Sequence, residues 1–167
     1  MKKQIFVSGV ARSGTSALVS VLNAHPGFLI GMERFFFPIK EETIVPADFR
    51  RARFLKIQDG DTHGSGFNSA DLRQDYTGAT YVGDKFPLLF QHFEYILKTF
   101  PDAQHIYIVR NPLSVVESYD ARHRNKDDKW KKSWETGLQE WNDSVRSVMS
   151  LSQEQLSKFY FVLYEDF

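Results

Sequence analysis

The chain has 167 residues, of which 42% are hydrophobic and 25% charged, and its formal net charge at pH 7 is zero. This composition is typical of a globular protein, and the length suits one hydrophobic core rather than two. A net charge of zero creates no general attraction to nucleic acid or to an anionic membrane, so an anion site must be built locally. The chain has no cysteine, which excludes disulfides, thiolate zinc sites and thiol catalysis.

No segment of the sequence has the pattern of a membrane or export signal. The apolar run after Lys2 and Lys3 is too short for a signal peptide, and Arg12 interrupts it. No stretch has the length needed to cross a bilayer. We therefore expect a cytoplasmic protein without a nucleic-acid partner, and its oligomeric state stays open.

The N-terminal residues 4–18 begin with an apolar, β-branched run and pass through two glycines into a run of helix formers. This order predicts a buried strand, a tight turn and a helix N-terminus. Such a turn gathers unpaired N–H groups and the positive end of a helix dipole, which suit an anion. The spacing of Gly9 and Gly14 matches a nucleotide phosphate loop, but Thr15 stands where an NTPase has its lysine. The side-chain charge of the loop is therefore on Arg12.

The rest of the chain alternates predicted strands with predicted helices, which indicates an α/β sandwich with a mostly parallel sheet. Further strands are predicted at 28–30, from 81, at 105–109 and at 159–164. Helices are predicted at about 15–23, after Pro87 and from Pro112. Ligands of such sheets bind beyond the carboxyl ends of the strands. Residues 9–16, 84–85 and 110–111 are therefore expected to converge on one crevice.

Apolar residues recur at helical spacing near the C-terminal end of the chain. They are Trp130, Trp134, Leu138, Trp141, Val145, Val148 and Met149. We expect one helix here, capped by Asp127 or Asp128, with its tryptophans in the core.

The middle of the chain, residues 39–80, has no clear period, although residues 50–55 are compatible with a short helix. We expect an irregular insertion within a single domain that covers residues 1–167. Such an insertion either faces the substrate or is a tolerated surface loop, and both interpretations stay open.

Two segments carry a resemblance to a known family. Residues 9–16 resemble the 5′-phosphosulfate loop of sulfotransferases that use 3′-phosphoadenosine 5′-phosphosulfate (PAPS), and residues 106–119 resemble the segment of that family that binds the 3′-phosphate. Shorter stretches at 83–87 and 162–167 are similar to the family's Gly-Asp-Lys-x-Pro and Tyr-Glu-Asp stretches. The motifs follow the family's order, and only the middle insertion is unmatched.

The resemblance implies a P-loop-like three-layer α/β/α fold with a mostly parallel sheet. It also implies transfer of a sulfuryl group from PAPS by metal-free in-line displacement, with 3′-phosphoadenosine 5′-phosphate (PAP) as product. Arg110 and Ser118 would bind the 3′-phosphate, since a guanidinium offers a planar fork of donors. Ser114 stands where the family has an aspartate, and we expect this departure to affect helix capping. The 5′-phosphosulfate would be held by Arg12, Ser13, Gly14, Thr15 and Ser16.

The resemblance also implies a catalytic set of Arg12, Lys85 and Glu33. Lys85 would neutralise charge on the bridging oxygen, and Glu33 would be the base that accepts the proton of the acceptor. His63 is the rival base, because a histidine has that role in phenol and steroid sulfotransferases. The alternative interpretation of the two charged candidates is ordinary ion pairs at the surface, Lys85 with Asp84 or another acid, and Glu33 with Arg34.

The acceptor would be a hydroxyl or amine of a small molecule, a carbohydrate or a peptide. Two other functions stay open: a P-loop kinase or hydrolase, which the absence of a lysine at Thr15 disfavours, and an inactive nucleotide-binding module. In the resembled family a glycine-rich loop with basic residues follows the Tyr-Glu-Asp strand. Because the sequence stops at Phe167, the resemblance implies either that the C-terminal part of the family domain is missing here or that this is a shortened version.

Overall fold

The computed structural model describes residues 2–58, 61 and 76–167 and contains one five-stranded sheet, in the order β2-β3-β1-β4-β5. Its strands are β1 (Lys3–Gly9), β2 (Phe28–Met32), β3 (Tyr81–Lys85), β4 (Gln104–Val109) and β5 (Phe159–Leu163). Each neighbouring pair is parallel, which confirms the predicted α/β class. Because all five strands run the same way, their carboxyl ends share one edge of the sheet.

Helices connect the strands. The main α-helices are α1 (Thr15–Asn23), α2 (Phe36–Lys40), α3 (Arg51–Phe54), α4 (Phe93–Thr99), α5 (Pro112–Arg124), α6 (Trp134–Met149) and α7 (Gln153–Leu156). Short 3₁₀ turns lie at Pro46–Phe49, Leu89–His92 and Tyr164–Asp166. Helix α5 begins at Pro112, as predicted, and the side chain of Asn111 caps it by accepting the N–H of Leu113 (2.9 Å). No helix of the described part of the chain is long and apolar enough to span a bilayer.

The two faces of the sheet are both covered, since successive side chains of a strand point to opposite sides. On one face, Ile5 and Val7 of β1 pack with Leu18 and Val19 of α1. On the other face, Phe6 of β1 belongs to a larger cluster that includes residues of α4 and the end of α6. The sheet is therefore the middle layer of an α/β/α sandwich.

The described part of the middle segment packs into the larger cluster. Between residues 39 and 58 its buried apolar residues recur every five positions, at Ile39, Ile44, Phe49 and Phe54. An interval of five matches neither the helical nor the strand period, which explains why the sequence shows no clear pattern there. The short helix predicted within residues 50–55 is present as α3. Tyr76 and Ala79 belong to the same cluster, so the segment contributes to the core in both of its described parts.

The prediction of a helix that includes Trp130 and is capped by Asp127 or Asp128 was wrong. Helix α6 begins at Trp134, with Ser133 at the N-cap position. The carboxylate of Asp128 instead accepts the N–H of Trp130 (2.8 Å), and the side chain of Asn125 accepts the N–H of Asp127 (3.0 Å). Such local side-chain bonds stabilise turns in competition with a helix.

The prediction that the tryptophans belong to the core holds only in part. Trp134 is 46% exposed. Trp130 and Trp141 are partly buried against a small cluster around Tyr119 and Val10. This cluster lies behind the loop that follows β1, so the two tryptophans support the loop rather than the centre of the protein.

His105, near the start of β4, is fully buried between two phenylalanine rings. Its ring centroid lies 4.6 Å from that of Phe159 and 5.6 Å from that of Phe6, and both pairs are stacked. Neither of its ring nitrogens has a hydrogen-bond partner in the described part of the chain. Burial, with a smaller contribution from Lys158, lowers the pKa of His105 from 6.5 to about 4. The folded protein therefore keeps this imidazole neutral.

We expect His105 to lower the free energy of unfolding by about 3 kcal/mol when the pH falls from above 6.5 to 4. In this interval the unfolded chain binds a proton that the folded chain excludes, so stability present above pH 6.5 is lost as the pH falls. Urea unfolding of wild type and of His105→Phe at about pH 7.5 and about pH 4 measures the effect. The difference between the two proteins removes contributions of other groups, such as Asp84, whose pKa burial raises. If the difference in free energy of unfolding between wild type and His105→Phe is the same at both pH values, the lowered pKa of His105 is contradicted.

Candidate functional site

The loop between β1 and α1 exposes the N-terminus of the helix. Gly14, at the N-cap position, has a left-handed φ of 89°, and a Cβ there would lie 2.5 Å from the ring of Tyr164, so only glycine fits without movement. Arg12 is also left-handed, with a φ of 69°. In the described part of the chain, the N–H groups of Thr15 and Ser16 have no backbone acceptor, as is usual for a first helical turn. The loop therefore has free donors at the positive end of α1.

The side chains of the loop also have unused hydrogen-bonding capacity. Ser13 and Thr15 are buried, and among the described residues the hydroxyl of Ser13 has no partner. Ser16 is exposed at the first turn of α1. Because buried polar atoms are normally bonded, an unpartnered hydroxyl beside free N–H groups fits an anion-binding loop.

The structure brings Arg12, Arg110 and Ser118 together. Arg110 follows β4, and its Nη1 donates to the backbone carbonyl of Arg12 (2.9 Å). The Nε of Arg12 in turn donates to the hydroxyl of Ser118 (2.9 Å). The buried Nε of Arg110 has no partner in the described part of the chain. One ligand can therefore contact the loop, both guanidinium groups and the serine.

Arg110 is held by residues to which the sequence analysis assigned no role. Its guanidinium lies 4.2 Å from the ring centroid of Tyr164, a cation–π contact. The indole N–H of Trp141 donates to the carbonyl of Arg110 (2.9 Å), and Glu165 accepts the N–H of Asn111 (2.9 Å). Tyr164 and Glu165 lie in the stretch 162–167, and its resemblance to the Tyr-Glu-Asp stretch of the family is the sequence signal for these two residues. The sequence gives no functional signal for Trp141, because its helical spacing indicates a core residue.

Glu33 and Lys85 form an ion pair where β2 and β3 end. The Nζ of Lys85 donates to Oε1 of Glu33 (2.6 Å), and the side chains are 5% and 37% exposed respectively. Among the described residues neither a Lys85–Asp84 pair nor a Glu33–Arg34 pair is present, whereas Lys85 does pair with another acid. Asp84 accepts only backbone N–H groups in this part of the chain, and Arg34 is buried, with its Nη2 3.5 Å from Oδ2 of Asp61. A buried ammonium therefore holds a carboxylate that still reaches solvent.

The strand order explains how these segments converge. In the register of the sheet, Val7 of β1 lies opposite Lys85 of β3, and Gly9 lies opposite Ile108 of β4. Neighbouring strands are about 4.8 Å apart, so the ion pair and Arg110 flank the loop on its two sides. Every candidate residue within the described ranges lies at this edge. His63, the rival base, lies outside the described residues.

A parallel sheet with a glycine-bounded loop at a helix N-terminus and two arginines at the same edge defines a three-layer α/β/α protein of the P-loop-like class. A model of the sulfotransferase family matches residues 4–167. The chain therefore belongs to the sulfotransferase family.

Curated relatives include two protein-tyrosine sulfotransferases. The chain is 25% identical over 148 residues to the protein-tyrosine sulfotransferase of Drosophila melanogaster, a match that covers 84% of this chain and 30% of the relative. It is 26% identical over 168 residues to protein-tyrosine sulfotransferase 1 of Danio rerio, covering 96% of this chain and 47% of the relative. The chain thus spans less than half the length of these relatives.

Solved structures of sulfotransferases share the fold. The sulfotransferase domain from the curacin biosynthetic pathway has a TM-score of 0.60 and 18% identity, and the match covers 99% of this chain and 68% of that one. The sulfotransferase domain from the Synechococcus PCC 7002 olefin synthase has a TM-score of 0.61 and 18% identity, with the same coverage. Mouse sulfotransferase SULT7A1 complexed with PAP has a TM-score of 0.52 and 19% identity, covering 99% of this chain and 53% of that one.

Proposed function

We propose that the chain uses PAPS to transfer a sulfuryl group to a hydroxyl or amine acceptor, and that it does so without a metal. The observation that carries the proposal is the hydrogen bond from Arg110 to the carbonyl of Arg12. It joins the loop that resembles the 5′-phosphosulfate site to the arginine that resembles the 3′-phosphate site. Membership of the sulfotransferase family supports this interpretation.

The residues at the sheet edge fit PAPS, which when bound supplies the activated sulfuryl group. The free N–H groups at the start of α1, with the side chains of Arg12, Ser13, Thr15 and Ser16, would hold the 5′-phosphosulfate. Arg110 and Ser118 would hold the 3′-phosphate. The unpartnered buried atoms, Oγ of Ser13 and Nε of Arg110, are consistent with this assignment.

Glu33 would act as the general base. Its carboxylate reaches solvent and can accept the proton of an acceptor hydroxyl. Lys85 holds this carboxylate in place and adds positive charge beside the loop. Fixed charges that are already in place stabilise developing negative charge without the reorganisation that solvent needs. Arg12 and Lys85 would supply this stabilisation.

An aromatic hydroxyl is the acceptor that we favour. Phe37, four residues after Glu33, is 45% exposed and packs edge-to-face on Phe36 (5.3 Å between centroids). This exposed aromatic surface suits a phenolic ring, and the two relatives are named protein-tyrosine sulfotransferases. Small-molecule and carbohydrate acceptors belong in the same test panel.

The cytoplasmic location remains a prediction from the sequence.

Calorimetric titration with PAP, with ADP as the control, tests the binding part of the proposal. We expect the Kd for PAP to be lower than the Kd for ADP by roughly tenfold or more, because charge-assisted bonds to the 3′-phosphate contribute about 1.5–3 kcal/mol. Equal Kd values for PAP and ADP would contradict the assignment of Arg110 and Ser118.

Transfer from PAPS to tyrosine peptides, sugars and phenols, measured with and without EDTA, tests the reaction. We expect EDTA to leave turnover unchanged, because Arg12, Arg110 and Lys85 are the cations of the site. Binding of PAP without transfer to any acceptor would favour the inactive binding module. A magnesium requirement would favour the phosphoryl-transfer alternative, against which family membership argues.

A further inference from the structure

Asp84 is a fully buried carboxylate whose hydrogen bonds, as far as the described residues show, all come from backbone N–H groups. Its Oδ1 accepts from Arg34 (3.1 Å) and from Lys85 (3.0 Å), and its Oδ2 accepts from Phe35 (2.7 Å). Arg34 and Phe35 belong to the turn between β2 and α2, whereas Asp84 lies on β3. The carboxylate therefore ties this turn to the neighbouring strand.

The turn that Asp84 holds carries the proposed base. Glu33 is left-handed, with a φ of 58°, and its N–H donates to the carbonyl of Lys85 (2.9 Å). A non-glycine residue keeps such a conformation only where its surroundings enforce it. The bonds from the N–H groups of Arg34 and Phe35 to Asp84, together with the bond from the Glu33 N–H to Lys85, provide that constraint. They hold its carboxylate within 2.6 Å of the Lys85 ammonium.

We propose that Asp84 is a positioning residue for the Glu33–Lys85 pair, an inference that rests on the proposed function of that pair. Burial raises the pKa of Asp84 to about 7, although its N–H donors and Lys85 oppose the rise. An ionisable group at this position is therefore costly to the fold. The carboxylate of Asp84 accepts the N–H groups of the turn and so fixes its conformation, which a hydrophobic side chain of similar size could not do because it has no acceptor.

Gly31 supplies an independent observation of the same constraint. It lies opposite Asp84 in the β2–β3 register, and a Cβ at this position would lie 2.6 Å from Oδ1 of Asp84 and 3.0 Å from Cβ of Arg34. The carboxylate occupies the space that a side chain at position 31 would need. A methyl group there is expected to displace Asp84 from its donors.

Asp84→Asn tests the proposal directly, because an amide retains one acceptor oxygen and turns its NH₂ group against another of the N–H donors. We expect kcat for sulfuryl transfer to fall by roughly 10²-fold, as small misplacements of catalytic groups do. The Kd for PAP should stay within about twofold of the wild-type value, because the phosphate-binding residues lie on other segments. The matched control is Asp48→Asn, where the partly exposed carboxylate accepts the N–H of Val45 (2.9 Å) away from the pair. It should leave kcat unchanged.

Gly31→Ala provides a second route to the same effect if Asp84→Asn folds poorly. Alone, it should reduce kcat by roughly tenfold or more. Asp84→Ala removes the obstructing carboxylate, so adding Gly31→Ala to it should not reduce kcat below the value of Asp84→Ala alone. Losses that simply multiply would show that the two positions act independently, and this would overturn the proposal.

Crystal structures of wild type and Asp84→Asn separate failure of this inference from failure of the proposed function. We expect Oε1 of Glu33 and Nζ of Lys85 to move beyond hydrogen-bonding distance in the variant. If their contact persists, or if kcat and PAP binding decline equally, Asp84 is merely structural and the inference is wrong. If wild type neither binds PAP nor transfers sulfuryl, the proposed function fails, while the measured Glu33–Lys85 distance still decides whether Asp84 positions the pair.

Discussion

Replacing Glu33 by glutamine is expected to lower kcat for sulfuryl transfer by roughly 10²- to 10⁴-fold, the range for loss of a general base. The amide is nearly isosteric and its oxygen can still accept the hydrogen bond of Lys85, but it cannot take a proton. The Kd for PAP should stay within about twofold of the wild-type value, because the proposed base would contact the acceptor rather than the nucleotide. Steady-state kinetics and calorimetry on the same preparation measure both quantities.

Glu42→Gln is the matched control for this experiment. Glu42 is also left-handed, with a φ of 55°, and it also contacts a basic side chain, His92 (3.1 Å). It lies at the end of α2 rather than at the pair with Lys85, so its replacement should change neither kcat nor Kd. If Glu33→Gln retains full turnover while His63→Ala loses it, the rival base is the correct one.

Replacing Arg110 by alanine is expected to raise the Kd for PAP by roughly 30- to 1000-fold, which corresponds to about 2–4 kcal/mol. The variant loses the donors proposed for the 3′-phosphate and also the bond to the carbonyl of Arg12. It further removes the guanidinium that packs on Tyr164. Calorimetric titration with PAP, with thermal unfolding as a check on folding, measures the effect.

Two variants show whether this loss is specific. Arg122→Ala removes a comparable guanidinium, which lies 4.5 Å from the ring centroid of Trp130 and bonds to Asp128, but lies outside the proposed site. It should leave the Kd for PAP unchanged. Arg110→Lys keeps the charge without the planar fork and should give an intermediate Kd. Equal losses from Arg110→Ala and Arg122→Ala would mean general damage to the fold and would contradict the assigned role.

Much of the fold could be predicted from local patterns. The helix at 15–23 follows from Gly14 and the helix formers after it, and the helix that begins at Pro112 follows from the fixed φ of proline. The strand at 105–109 follows from its apolar, β-branched run. These features depend on the sterics of a few successive residues, which is why one sequence suffices to find them.

The errors arise where side-chain hydrogen bonds and packing override the periodic pattern of the sequence. Trp130 has helical spacing to Trp134, but the carboxylate of Asp128 binds its N–H and packing on Tyr119 holds its ring (4.5 Å between centroids). The buried apolar residues at 39, 44, 49 and 54 follow neither the helical nor the strand period, because they pack into the core from short helical turns and from the loop between them. In both places the tertiary environment decides the local conformation.

The sequence alone determined that a glycine-bounded loop follows the first strand, with its positive charge on Arg12, and that further charged residues stand at the ends of other strands. Such properties depend on residue type and short spacing. Only the tertiary structure decided the partners: Lys85 with Glu33, and Arg110 with Tyr164 and Trp141. The reason is the strand order β2-β3-β1-β4-β5. This order places segments that are far apart in the sequence next to each other, within one or two strand widths of the loop after β1, at the same edge of the sheet. No local sequence pattern encodes the strand order.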